Sequence, residues 1–260
     1  MKNYARELLH EQLSAKQTQC TGTRTRLEWT NRFWKGFVMP AITGVVPNTE
    51  AETFAAHDPE EAKTEHYGQV LPIEDVEHVL DMADSITRIP CGCRFISTGL
   101  TDKRYCFGLG IDRWGLLGQF PEASSSLEVL DRQKALEIIR GYDQEGLFHS
   151  IWTGVTPYVV GICNCDRDCG AYGGYLANPG AQDFFRAEYV GVVDRDLCTG
   201  CKLCMGQCQF GSLHYSSAMG KVSIEPSRCF GCGVCRAACP SDAILLTPRE
   251  TQPVAASIWH

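Results

Sequence analysis

Two stretches of the chain place apolar side chains at a helical period. Residues 71–86 carry acidic residues on one face and apolar residues on the other, and the apolar positions are Ile73, Val76, Val79, Leu80 and Ala83. Residues 132–146 show the same arrangement with Leu136, Ile139 and Tyr142 on the apolar face, followed by a glycine. Recurrence every three or four residues is typical of an amphipathic helix, and glycine commonly ends one. The pattern therefore predicts two helices.

Two short apolar runs follow the second predicted helix. Residues 147–152 read LFHSIW and residues 157–163 read PYVVGIC. Runs of this length, rich in β-branched and aromatic residues, favour strands over helices. We therefore predict an α+β protein whose residues 1–187 form a mixed α/β N-terminal domain, with helices and strands that support cysteine-bearing loops.

Composition narrows the class of protein. The chain has 260 residues with 44% hydrophobic content, enough for one large or two smaller domains, and a formal net charge of −7. An acidic balance argues against nucleic acid or an anionic membrane as the main partner. The sequence has no apolar run long enough for a membrane span. The first residues, MKNYARELLHEQLSAKQ, lack the apolar core of a signal peptide. We therefore expect a cytoplasmic protein without a membrane span.

Fifteen cysteines are more than an ordinary cytosolic enzyme carries. In a reducing compartment, such thiols are metal ligands or redox groups rather than structural disulfides. Fourteen of them fall in three groups, and Cys20 stands apart as an isolated thiol.

Two of the groups form an internal repeat. Residues 198–208 read CTGCKLCMGQC, and CFGCGVCRAACP begins at residue 229. Both runs have the spacing C-x2-C-x2-C-x3-C, and each cysteine of the second lies 31 residues after its counterpart. Zinc, which uses CxxC pairs, does not require two interlocked runs of four. The spacing instead predicts two 4Fe–4S clusters, because three cysteines wrap one cubane and the fourth reaches the other.

This interlocking gives a ligand set for each cluster. The first cluster is assigned Cys198, Cys201, Cys204 and Cys239. The second cluster is assigned Cys229, Cys232, Cys235 and Cys208.

The repeat resembles the bacterial two-cluster ferredoxin family over residues 188–248. The resemblance implies a small βαββαβ-like unit and one-electron transfer, so we expect a ferredoxin domain at 188–250 and a C-terminal tail at 251–260. One departure is that Gln209 follows Cys208 where the family has proline, as Pro240 follows Cys239 in the second run. That change leaves an additional backbone N–H near Cys208, and hydrogen bonds to sulfur tune the reduction potential.

The third group consists of six cysteines in the N-terminal part. They are Cys91, Cys93, Cys106, Cys163, Cys165 and Cys169. Scattered buried thiols are one interpretation. The alternative is a metal centre that joins distant loops, and we predict a third 4Fe–4S cluster held by four of the six. Six thiols cannot fill the eight positions of two further cubanes.

Charged residues accompany these cysteines. Arg94 and Arg167 are candidates to offset the negative charge of a thiolate-bound cluster, and surface charges in turns are an equal alternative. Asp166 and Asp168 are candidates for proton transfer, but we expect them to be solvated loop acids.

The chain as a whole, over residues 70–245, resembles a group of 4Fe–4S-binding proteins from anaerobic bacteria and archaea. The segments that carry this resemblance are IPCGCR, CFGLG and GICNCDRDC. It implies iron–sulfur electron transfer and names no substrate. Ferredoxin:thioredoxin reductase also pairs CxC cysteines with a cubane, but its spacings differ, so no residue is carried over from it.

Three functions remain for comparison. The first is an electron-transfer protein or subunit that relays electrons through the clusters to a partner in a larger oxidoreductase complex. The second is a self-contained reductase with an N-terminal cluster or dithiol as its active site. The third is a docking module that uses the aromatic residues Trp29, Phe33, Trp34 and Phe37. The sequence has no dinucleotide or phosphate-loop motif and no spaced histidine cluster, so we expect the first.

Overall fold

A computed structural model describes residues 68–100, 103–110, 127–153, 159–169 and 184–259. Cys20 and the aromatic residues from Trp29 to Phe37 lie outside the described residues, so their roles stay predictions. The N-terminal elements are β1 (Gly68–Leu71), α1 (Ile73–Met82), β2 (Ile86–Ile89), α2 (Gly92–Thr98), β3 (Cys106–Leu109), β4 (Glu128–Leu130), α3 (Arg132–Glu145), β5 (Phe148–Thr153), β6 (Val159–Cys165) and β7 (Phe184–Phe185).

The predicted helix over 132–146 is confirmed as α3. The carboxylate of Asp131 caps its first turn by accepting a hydrogen bond from the backbone N–H of Lys134. The helix ends at Gly146, whose φ of 88° is a conformation that glycine adopts without strain. Its apolar face, including Leu136 and Ile139, is buried.

The other predicted helix, α1, is shorter than residues 71–86. Ala83 adopts an extended conformation and ends the helix at Met82. Ile86 then begins β2, where it lies opposite Leu109 and Leu130 on the two neighbouring strands. The apolar period alone predicts a helix through residue 86, but pairing with the neighbouring strands makes Ile86 part of β2.

The N-terminal strands form one seven-stranded sheet with the order β4-β2-β3-β6-β5-β1-β7. Neighbours are antiparallel except for β1 and β7, which are parallel. One face packs against α1 and α3 and buries Phe107, Ile151 and Ile162. Because side chains alternate along a strand, the residues adjacent to these three lie on the opposite face of the sheet. They are Cys106, Ser150 and Cys163. The predicted α+β class is confirmed.

The C-terminal part has the element order strand, helix, strand, strand, helix, strand. These elements are β8 (Tyr189–Val193), α4 (Leu203–Gln207), β9 (Leu213–Ser216), β10 (Lys221–Ile224), α5 (Val234–Ala237) and β11 (Ile244–Pro248). Strands β8 and β11 pair antiparallel, as do β9 and β10.

The last described residues pack against the rest of the chain. A short 3-10 helix, Arg249–Thr251, follows β11. Beyond it, Ala255 is fully buried, and the carbonyl of Trp259 accepts a hydrogen bond from the backbone N–H of Arg186. The division of the chain at residues 187 and 250 stays a prediction. Among the described residues, no helix has the length and apolar character needed to cross a membrane.

Candidate metal centres

The cysteines of the first set line one pocket. These residues are Cys198, Cys201, Cys204 and Cys239. Burial raises the pKa of Cys204 to about 11, and the neighbouring thiols of Cys239, Cys201 and Cys198 raise it further in the same direction. The thiols of Cys198, Cys201 and Cys239 therefore lie close to that of Cys204 in one pocket. That donor set fits a group that replaces the thiol protons with iron.

The cysteines of the second set also share one environment. Burial, and then the charges of Cys235, Cys229 and Cys208, raise the pKa of Cys232 well above its ordinary value. Burial followed by Cys229 and Cys208 does the same for the pKa of Cys235. The fourth cysteine of the first run therefore lies with the first three of the second run.

Backbone N–H groups approach the sulfurs in a pattern that repeats. Ser212 donates to the Cys208 sulfur at 3.4 Å, and Ala243 donates to the Cys239 sulfur at 3.3 Å. Each donor lies four residues after its cysteine, so the duplication extends to the hydrogen bonds. Burial raises the pKa of Cys239, but hydrogen bonds from the Ser241 and Ala243 backbone outweigh it and lower that pKa overall. Such bonds stabilise thiolate sulfur.

Gln209, the residue that replaces a proline of the ferredoxin pattern, bridges the two parts of the chain. Its side-chain amide donates a 2.9 Å hydrogen bond to the carbonyl of Gly146, at the end of α3. Arg167 lies nearby and donates to the carbonyls of Cys208 and Gln209. The first cysteine run is therefore joined to the N-terminal part of the chain next to its fourth cysteine.

The six N-terminal cysteines gather on the sheet face opposite α1 and α3. Cys106 on β3 and Cys163 on β6 are in-register partners. The Cys91 sulfur, at the start of α2, lies 3.4 Å from the Cys106 sulfur and accepts a 2.8 Å hydrogen bond from the backbone N–H of Tyr105. Three segments distant in sequence thus bring their thiols to one place.

The remaining thiols continue this group. Contact with the Cys106 thiol raises the pKa of Cys163 well above its ordinary value, and contact with Cys163 raises that of Cys165. Cys165 also contacts Cys169, and the charge of Cys93 acts on Cys163. Among the described residues, no group of three or more His, Cys, Asp or Glu side chains is arranged to hold a single metal ion. The two ferredoxin sets are no exception.

Arg94 is a buried charge beside the N-terminal thiols. It is only 5% exposed, donates a 2.8 Å hydrogen bond to the Asp166 carboxylate, and lies over the Tyr105 ring. Burial lowers its pKa, but the bond to Asp166 and the charges of Asp166, Cys169 and Cys91 raise it overall. Arg94 is therefore not a surface charge, whereas Arg167 is exposed. Asp166 is paired rather than simply solvated, and Asp168 is exposed.

The N-terminal thiols and the second ferredoxin set adjoin one apolar cluster. Cys165 and Cys169 pack in the same buried group as Phe230, Cys232 and Val234. Phe210 stacks on Phe230 with ring centroids 4.0 Å apart, and Phe148 of β5 contacts Phe210 at 4.9 Å. These rings belong to the same apolar cluster as Cys165, Cys169 and Cys232.

Sequence reasoning missed a buried arginine at the second set. Arg249 is 1% exposed and donates hydrogen bonds to the carbonyls of Ala187, Tyr189 and Cys229 at 2.7, 2.8 and 2.9 Å. Arg186 also donates to the Cys229 carbonyl and lies over the Phe230 ring. Single arginines outside a motif carry no sequence signal for such a position.

Comparison with known proteins agrees with the cysteine spacing. A family model described as "4Fe-4S dicluster domain" matches residues 197–244. Over 107 residues the chain is 27% identical to the indolepyruvate oxidoreductase subunit IorA of Pyrococcus abyssi, covering 41% of this chain and 16% of that subunit. Over 61 residues it is 38% identical to the archaeal-type glutamate synthase (NADPH) of Thermotoga maritima, covering 23% of this chain and 12% of that protein.

The chain thus spans less than a fifth of the length of these curated relatives. The predicted ferredoxin resemblance is confirmed for the cysteine repeat, since residues 197–244 match a 4Fe–4S dicluster domain.

Proposed function

We propose that the chain is an electron-transfer protein or subunit with three iron–sulfur centres in series. Two 4Fe–4S clusters lie in the ferredoxin segment, which takes the βαββαβ arrangement of that family, and a third is held by N-terminal cysteines. The relay delivers single electrons to a partner oxidoreductase. When bound, the clusters supply one-electron carriers, and the protein holds, spaces and shields them.

The ligand sets in the ferredoxin segment rest on the shared cavity and on the mutual influence of the thiols. Cys198, Cys201 and Cys204 with Cys239 hold the first cluster. The other set is Cys229, Cys232, Cys235 and Cys208. Backbone N–H groups of Ser212 and Ala243 stabilise one thiolate in each set.

The observation that carries the three-centre proposal is the convergence of the N-terminal cysteines beside Cys232. Thiols from α2, β3 and β6 meet on one sheet face, and two of them, Cys165 and Cys169, share an apolar cluster with Cys232. A third centre built there is adjacent to the second cluster and separated from it by side chains rather than by solvent. Four of the six thiols suffice for a cubane.

Arg94 has a supporting role in this centre. Its buried guanidinium lies close enough to Cys91 and Cys169 to interact with their charge. A fixed positive charge stabilises thiolates and the reduced form of a cluster. Asp166 holds the guanidinium in place through a 2.8 Å contact.

The partner and the compartment are inferred from the relatives and from the thiols. The curated relatives include an indolepyruvate oxidoreductase subunit and a glutamate synthase, so a larger oxidoreductase complex is a consistent setting. Fourteen clustered cysteines persist as ligands only where disulfides do not form. We therefore place the protein in the cytoplasm.

Quantitative electron paramagnetic resonance tests the proposal. Anaerobically purified protein, fully reduced with dithionite, should show about three spins per chain, broadened by coupling between neighbouring centres. About two spins per chain would leave the ferredoxin assignment intact and contradict the third centre.

A reductase with a dithiol active site is the second candidate. The observation that favours it is the 3.4 Å separation of the Cys91 and Cys106 sulfurs, which places two thiols within reach of a disulfide after a small movement. Alkylation of air-free protein before and after mild oxidation, followed by mass spectrometry, tests it. A reversible Cys91–Cys106 disulfide, with iron content unchanged, would favour the reductase.

A further inference from the structure

The internal repeat permits a direct comparison of how the two clusters meet solvent. Residues 31 positions apart occupy equivalent places in the two runs. Leu203 is 60% exposed, whereas its counterpart Val234 is 1% exposed. Lys202 is exposed where Gly233 is buried. The loop around the first set therefore faces solvent, and the matching loop around the second set does not.

Residues of the N-terminal part help to cover the second run, since Val70, Phe148 and Ala187 pack in the same buried cluster as Phe230 and Val234. The second run is covered at Phe230, which stacks on Phe210, contacts Arg186, and accepts a hydrogen bond on its carbonyl from the backbone N–H of Ala187. Helix α5 is also tied to α1, because Arg236 donates a 2.7 Å hydrogen bond to Glu74. The first run instead contacts the N-terminal part near its fourth cysteine, through Gln209 and Arg167, and its loop around Cys201 stays exposed.

Apolar side chains gather where the first set reaches the surface. Leu197, Leu203 and Met219 are 51%, 60% and 52% exposed, and Cys201, a ligand of the first cluster in the proposed function, is itself exposed. The carbonyl of Gly220, next to Met219, lies directly against Gly200 and leaves no room for a side chain there. We name these four exposed residues, Leu197, Cys201, Leu203 and Met219, the Cys201 patch.

Charges around the Cys201 patch are mixed in sign. Lys202 is exposed and places its ammonium 3.9 Å from the centroid of the Tyr215 ring. Arg195 and Asp196 are exposed next to Leu197. A mixed rim around apolar residues is suited to short-lived contact with a protein rather than to capture of a strongly charged partner.

We propose that the Cys201 patch docks a one-electron carrier protein, and that the chain exchanges electrons with this carrier only at its first cluster. The inference rests on the ligand sets of the proposed function. One electron passes between the carrier's cofactor and the first cluster, so one is oxidised as the other is reduced, and no bond forms or breaks. The second cluster and the N-terminal centre then exchange electrons inside the chain. Redox encounters of this kind use small contact areas, below about 1,200 Å².

The test compares a protein reductant with a small one. Flavodoxin hydroquinone is the protein probe, dithionite is the small reductant, and cluster reduction is followed by stopped-flow absorbance in about 0.5 M salt to suppress charge steering. The double variant Leu203→Gln, Met219→Gln should be reduced about ten-fold more slowly by flavodoxin, equivalent to about 1.4 kcal/mol of lost docking. Its rate with dithionite should not change.

Two controls make the result decisive. Val129→Gln alters an equally exposed apolar residue on β4, in the N-terminal sheet, and should leave both rates unchanged. Met219→Gln alone changes a residue outside the cysteine run, and it should slow reduction by flavodoxin while the measured iron content stays full. If the double variant keeps its full iron content and flavodoxin reduces it at the wild-type rate, the docking proposal is wrong. If dithionite-reduced wild-type protein shows no electron paramagnetic resonance signals from the two ferredoxin clusters, the ligand sets are contradicted instead.

Discussion

Cys106 and Cys163 face each other as in-register partners on strands β3 and β6, and the Cys91 sulfur lies 3.4 Å from that of Cys106. This arrangement brings together cysteines that lie up to 72 residues apart in the sequence, from Cys91 to Cys163. Apolar residues would serve a sheet core equally well, and burial of several thiols in contact raises their pKa. The proposed third cluster would account for thiols at these positions, because each would serve as an iron ligand.

Replacing Cys163 tests the N-terminal centre. Cys163→Ser should remove about four irons per chain and leave the ferredoxin signals in place, because serine is a poor ligand for a cubane and the ferredoxin sets do not use this residue. Iron analysis with electron paramagnetic resonance measures both. The matched control is Ile162→Val, the adjacent residue on the other face of β6, which should keep all its iron. Retention of the full iron content in Cys163→Ser would count against Cys163 as a ligand.

Arg249 should set the potential of the second cluster. Burial lowers its pKa to about 10, so the guanidinium stays charged at neutral pH, and it donates to the Cys229 carbonyl. Removing this charge in Arg249→Gln should lower the potential of that cluster by about 50–100 mV, because a nearby positive charge favours the reduced form. A potentiometric titration followed by electron paramagnetic resonance measures the shift.

Two further variants separate charge from structure at this position. Arg249→Lys keeps the charge and should retain most of the wild-type potential. Arg88→Gln removes an arginine that pairs with Glu128 and Tyr142 in the N-terminal domain, and it should leave the potential unchanged. Equal potentials in wild type and Arg249→Gln would show that the guanidinium has no electrostatic effect on the cluster.

Much of the N-terminal framework follows from local pattern. The apolar face of α3 and the glycine that ends it are explicit in residues 132–146, and the structure agrees. Strand β2 was missed, because residues 86–89 extend the helical period of the preceding segment and only pairing with β3 and β4 makes them a strand. The helix interpretation over residues 71–86 was therefore too long.

The candidate site is likewise predictable from local sequence only in part. The proposed ligand sets of the ferredoxin segment follow from the cysteine spacing alone, since the interlocked runs suit two cubanes. The gathering of Cys91, Cys106 and Cys163 depends on the order of strands in the sheet, which local pattern does not specify. The contrast between exposed Leu203 and buried Val234 was also out of reach, because both runs have the same spacing and differ only in what covers them.

Tyr142 links α3 to the sheet and should contribute measurably to stability. Its buried hydroxyl accepts a 2.8 Å hydrogen bond from Arg88 and donates a 3.0 Å bond to the carbonyl of Arg104. Tyr142→Phe should lower the free energy of unfolding by about 1–2 kcal/mol, because both partners lose a bond. Thermal unfolding under anaerobic conditions measures this. Tyr215→Phe, on the exposed strand β9, is the control and should change stability by less than about 0.5 kcal/mol.

The contribution of Tyr142 should also have a defined pH range. Burial raises its pKa from 10.0 to about 12, although Arg88 opposes the shift. A pKa that is higher in the folded state gives stability that is fully present below the unfolded value and is lost as the pH rises through the folded value. The difference between wild type and Tyr142→Phe should therefore be constant below about pH 9 and should shrink as the pH rises from about 10 to about 12. A difference that stays constant through this higher range would contradict the raised pKa.

The most direct test of the three-centre relay is the iron and acid-labile sulfide content of anaerobically purified protein. The account predicts about twelve of each per chain, from two ferredoxin clusters and one held by the N-terminal cysteines. About eight of each would contradict it. The six thiols on the sheet face would then form a thiol site beside a two-cluster ferredoxin segment, and the dithiol reductase would become the better account.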